Sequence, residues 1–90
     1  MEERIALIGI IVEDSETPER LNRILHAYKN HIIGRMGLPY PEKNVSVISI
    51  VVCAENNVIS ALSGKLGMIK GVQVKTIYSQ IKRDESNKNG

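Results

Sequence analysis

The sequence is poor in the residues on which several kinds of function depend. One cysteine, Cys53, stands alone in ninety residues, so no intrachain disulfide forms and a reducing cytoplasm is the expected compartment. Tryptophan and phenylalanine are absent, and the aromatics are Tyr28, Tyr40 and Tyr78. The stacking platforms that grip single-stranded nucleic acid are therefore missing. Twelve Lys and Arg against ten Asp and Glu give a net charge of +2, far from the concentrated positive field of a nucleic-acid or membrane-surface binder. No apolar run approaches the ~18 residues of a spanning helix, and no basic-then-apolar leader precedes a small-residue cleavage site. No membrane partner is expected.

Candidate chemistry is equally sparse. Besides the methionines, His26, His31 and Cys53 are the only soft or borderline metal ligands. Histidines five apart lie on different faces of a helix, and no zinc spacing is present. A metal site is expected only if a symmetric oligomer gathers these groups from two chains. No Ser, His and Asp set sits in a nucleophile context, and Glu13 with Asp14 reads as a solvated turn rather than a catalytic dyad. The expectation is a chain that is not an enzyme, with no metal site of its own and no cofactor specified.

What the sequence does carry is a clear alternation of elements within one domain, residues 1–81, followed by a charged tail, 82–90, expected to be disordered. Residues 4–12 form a β-branched apolar run, the pattern of a strand buried on both faces. Thr17 is a suitable N-cap, Pro18 fits the first helical position, and Glu19 favours the positive helix terminus. Leu21, Ile24, Leu25 and Tyr28 then recur at helical spacing and mark the core-facing stripe. Gly34, Gly37, Pro39 and Pro41 exclude a helix beyond His31, leaving 32–38 as a short edge strand. Residues 45–53 read as a second strand apolar on both faces. Residues 55–66 place Ile59, Leu62 and Leu66 on one helical face, with Gly67 positioned as a left-handed C-terminal cap. Residues 72–81 alternate as an edge strand.

Strand, helix, strand, strand, helix, strand predicts an α+β, ferredoxin-like βαββαβ sandwich. Its antiparallel sheet has order 4-1-3-2, with both helices on one face. The two doubly apolar strands then fall in the middle. Two helices cover one face only, so Ile, Val and Leu side chains remain bare on the other. A second copy, packed sheet to sheet or edge to edge, is the economical cover, and a homo-oligomer, dimer or tetramer, is expected.

Gly34-Arg35-Met36-Gly37 after Ile32-Ile33 matches the IIGxxG core of a KH module, which clamps a nucleic-acid backbone between two helices. Pro39 and Pro41 prevent the second helix, so the context that a KH module requires is missing, and RNA binding through this loop is kept only as the alternative. A bend or bulge near Arg35, which these glycines allow in an edge strand, is the plainer reading. The candidate ligand site, at an oligomer interface, is Gly34, Arg35, Gly37 and Tyr40, where open backbone, one cation and one phenol would meet a small anionic effector.

The segment His31-Ile32-Ile33-Gly34-Arg35-Met36-Gly37-Leu38-Pro39-Tyr40, flanked by Thr17-Pro18-Glu19, Val47 to Val52 and Leu62-Ser63-Gly64-Lys65-Leu66-Gly67, resembles the iron-only hydrogenase system regulators over about residues 3–80. The resemblance implies an ACT-like regulatory domain, similar to the C-terminal sensing domain of the nickel-responsive regulator, that forms dimers or higher oligomers. It also implies an effector or a protein partner. Two departures narrow this. Pro18 is followed by Glu19 rather than by the glycine of amino-acid-binding ACT turns, and no His-x-His is present for square-planar nickel. No helix-turn-helix or ribbon-helix-helix segment is left over, so no direct DNA contact is expected.

Overall fold

The computed structural model describes residues 2–13 and 18–80. The expected Thr17 cap, the turn at Asp14 and the tail at 82–90 lie outside the described residues. The first apolar run forms strand β1, Glu3–Glu13, and Pro18–Ala27 forms helix α1. A 3₁₀ turn at Lys29–His31 leads into β2, Ile32–Tyr40. A second 3₁₀ turn, Pro41–Lys43, ends at Asn44 in the left-handed conformation (φ 56°), which asparagine tolerates better than most residues. Strand β3 is Val45–Glu55, helix α2 is Asn56–Gly67 and strand β4 is Val72–Tyr78.

The sheet is antiparallel throughout, in the order β2-β3-β1-β4, which is the expected 4-1-3-2 read from the other edge. β1 and β3 pair over their full length, from Glu3 opposite Glu55 to Glu13 opposite Val45. Because side chains alternate with a period of two, this register sends Ala6, Ile8 and Ile10 of β1 and Ile48, Ile50 and Val52 of β3 to one face. There they are buried against Leu21 and Leu25 of α1 and Ile59, Leu62 and Leu66 of α2. Lys65 Nζ sits 5.2 Å from the centre of the Tyr28 ring, a cation–π contact that ties the end of α2 to the end of α1.

Three details depart from expectation. β2 runs on to Tyr40, because an edge strand accepts Pro39 without losing a ladder bond it needs. β4 stops at Tyr78, although the Ser79 amide still donates to Ile5 O at 2.8 Å. Gly67 is not a left-handed cap. α2 instead tightens as it ends, Met68 N donating to Lys65 O and Ile69 N to Leu66 O, so these two carbonyls are satisfied without a positive φ. The left-handed residue comes later, at Gly71 (φ 79°), whose carbonyl accepts from Glu13 N at 2.9 Å and starts β4 beside the end of β1.

β1 and β3 are apolar on both faces, as their composition indicates, yet within the single chain only one face is covered. No described helix is long and apolar enough to cross a membrane.

Candidate functional site

The residues singled out in the sequence all lie on β2, and its pairing decides where each one points. A register shift between Ile32 and Gly34 makes Ile33 a bulge, so the irregularity expected at the glycines near Arg35 falls just before them. Beyond it Arg35 pairs with Ile50 and Gly37 with Ile48, so both lie on the helix-covered side of the sheet. Met36 pairs with Ser49, Leu38 with Val47 and Tyr40 with Val45, on the bare side. One strand therefore serves both faces. A Cβ added at Gly34 or Gly37 would meet nothing within 4 Å, and neither glycine has a positive φ, so the fold of one chain makes no steric demand for glycine at either position. The Gly34–Gly37 segment lies inside a strand rather than between two helices, which removes the context a KH clamp needs.

The bare face carries Ile5, Leu7 and Ile11 of β1, Val47 and Val51 of β3, Met36, Leu38 and Tyr40 of β2 and Ile77 of β4. Its most open side chains range from 37% exposed at Val47 to 68% at Met36, so this is accessible hydrophobic surface. Its relief is uneven. Val51, Leu7 and Ile77 stand in register as one ridge, and Leu38, Val47 and Ile11 as another. Between them Ser49, Gly9 and Lys75 stand in a row across β3, β1 and β4, a trough closed at the β2 edge by Met36 opposite Ser49. A hollow of about 280 Å³ opens beside Gly9 and Lys75, on the side of Ile11, Val47 and Gln73. Glycine and serine opposite one another on two otherwise branched strands were the sequence signal for this trough, visible only once the register is known.

A second depression lies on the other side, between α1 and β2. Asn22, Leu25 and His26 stand at i, i+3 and i+4 on one face of α1, Lys29 follows in the 3₁₀ turn, and Ile32 and Arg35 of β2 complete an open depression of about 410 Å³. Buried Leu25 and half-buried Ile32 form the floor, while Asn22, His26, Lys29 and Arg35 form an exposed polar rim. Arg35 Nη2 donates to Asn22 Oδ1 at 3.2 Å, which fixes the guanidinium over the groove. Of the expected ligand residues, Arg35 lies here and Tyr40 does not. Asn22 and Lys29 were legible only as residues beside the core stripe of α1.

His26 lies on this groove and Cys53 on the bare face, where its Sγ is 3.6 Å from Glu3 Oε1. His31 packs near Tyr28, ring centres 6.4 Å apart. The chain thus does not gather the three. Among the described residues no group of three or more His, Cys, Asp or Glu side chains is placed to hold a metal ion.

A four-stranded antiparallel sheet of this order with both helices on one face defines an α+β protein of ferredoxin-like fold. The chain belongs to the TM1266-like family, described as "Iron-only hydrogenase system regulator, putative", whose profile matches residues 4–76. It is similar to protein TM1266 from Thermotoga maritima at 41% identity and a TM-score of 0.83, over 86% of this chain and 98% of that one. A more distant structure is LarC2, the C-terminal domain of a cyclometallase involved in the synthesis of the NPN cofactor of lactate racemase, in its apo form. It shares 17% identity over 87% of this chain and 57% of that one, with a TM-score of 0.49. No curated protein matches the chain.

Proposed function

We propose that this chain is a non-catalytic, ACT-like regulatory module of an iron-only hydrogenase system that acts in the cytoplasm as a homo-oligomer, packed sheet to sheet through its bare face. The observation that carries this is the apolar face crossed by two ridges and a trough. A two-fold copy is a fitting occupant, because a ridge one row away from a trough is complementary to its own image. Stacked sheets approach to about 10 Å, close enough for Leu7 and Val51 of one copy to enter the Gly9–Ser49 trough of the other.

Edge-to-edge association is the weaker route. β2 carries both the Ile33 bulge and Pro39, two devices that discourage a further strand from pairing. β4 is short and presents Lys75. Both helices are occupied in covering the sheet, so regulation passes through a small effector or a protein partner rather than through a helix placed in DNA.

Native mass spectrometry of protein purified without added ligand tests this reading. A dimer or tetramer is expected, and Leu7→Glu combined with Val51→Glu should give a monomer with an unchanged circular-dichroism spectrum. A wild-type monomer at high micromolar concentration overturns the proposal, as does a bound RNA that requires Arg35.

A further inference from the structure

The α1–β2 groove combines features that a solvated surface does not require. Its rim holds Arg35, Lys29 and His26, and no carboxylate is among the described residues lining it, in a chain with ten acidic residues to place. Gathering the two cations, Arg35 and Lys29, around a concavity costs Coulomb energy that an anion relieves. The guanidinium is also positioned. Arg35 commits one of its five N–H donors to Asn22 Oδ1, a neutral anchor that orients the planar fork without cancelling its charge. An acid at position 22 would have neutralised the arginine, whereas the amide holds it and adds its own N–H donors to the rim.

The floor narrows the ligand further. Half-buried Ile32 gives it an accessible apolar surface, and the open depression of about 410 Å³ has room for a small organic molecule. A bare inorganic ion would leave that apolar floor unused. We infer that the groove between α1 and β2 binds a small organic anion, its carboxylate or phosphate head held by Arg35 and Lys29 and its short apolar body lying on Ile32.

This site belongs to one chain and faces away from the bare sheet face, so it stands or falls apart from self-association. The test uses ¹⁵N-labelled full-length protein titrated with hexanoate, hexyl phosphate and, as the neutral control, hexanamide. Saturable amide shifts clustered in residues 22–35 are expected with the anions. The stronger of the two anions identifies the head group. Arg35→Ala should weaken that binding about tenfold or more, the loss expected for a charge-assisted bidentate contact, and Lys29→Gln less. Because Arg35 is exposed and its guanidinium is held by exposed Asn22 rather than by the core, the variant should fold, and its unshifted core amides verify this. The inference is overturned if neither anion gives saturable shifts there, if hexanamide binds as well, or if Arg35→Ala binds as the wild type does. A monomer that binds hexanoate refutes the oligomer and keeps the groove, whereas an oligomer that binds nothing does the reverse.

Discussion

Arg35 and Tyr40 share strand β2 but occupy opposite faces of the sheet, Arg35 opposite Ile50 beneath α1 and Tyr40 opposite Val45 on the bare side. Five residues of strand also separate them by roughly 17 Å along the chain. They cannot hold one small ligand within a single chain. Instead each is a handle on a different property, and sites this far apart without shared partners act additively. Tyr40→Ser with Leu38→Ser should raise the dissociation constant of the oligomer about tenfold or more and leave hexanoate binding unchanged. Arg35→Ala should do the opposite. Analytical ultracentrifugation and the hexanoate titration read the two effects, and a variant that moves both readouts would show the faces to be coupled.

Which parts of this arrangement were legible in the sequence follows from the kind of signal each part sends. Strand order, the two helical stripes and the bare apolar face come from periodicity, and periodicity is set by the same burial that builds the core. Leu21 and Leu25 on α1 and Ile59, Leu62 and Leu66 on α2 are buried as their spacing indicates. The site was harder to read. Gly34, Arg35, Gly37 and Tyr40 look like one cluster along the chain, but which face each takes depends on a one-residue bulge at Ile33, and a bulge inverts every side chain beyond it. Asn22 and Lys29 became part of a groove only when the crossover laid β2 beside α1. Gly67 resembled a cap by composition, yet α2 ends by tightening its last turn.

Between α2 and β4 the Ser63 and Thr76 hydroxyls are hydrogen-bonded to each other in a half-buried position. Thr76 is also in register with Ile8, on the helix-covered side of the sheet. Removing one hydroxyl leaves the other without its partner in a partly dry place, whereas removing both leaves a plain apolar contact. Ser63→Ala and Thr76→Val should each cost about 1 kcal/mol or more. The double variant should cost less than the sum of the two. A urea-denaturation double-mutant cycle measures the coupling, and strictly additive losses would mean that the pair contributes nothing as a pair.

The trough at Gly9 separates the stability of one chain from the assembly of several. A Cβ built on Gly9 meets only Lys75 O, at 3.8 Å, an ordinary contact, and the backbone there is extended rather than left-handed. Nothing in the single chain opposes an added Cβ there. Glycine in a strand interior costs roughly 0.5–1 kcal/mol relative to alanine through its unfolded-state entropy, and valine suits a strand better still. Gly9→Val should therefore raise or preserve the stability of the isolated chain, measured by urea denaturation of the dilute monomer. In the assembled state the same side chain fills the trough that receives a ridge, so association should weaken about tenfold or more. Gly37→Ala supplies the comparison. It relieves the same entropy on the helix-covered side of β2, where an added Cβ has nothing within 4 Å, and should leave association alone. Only interdigitation at Gly9 makes one substitution help the monomer and harm the oligomer, so a Gly9→Val protein that assembles as tightly as the wild type would place the contact elsewhere on the surface.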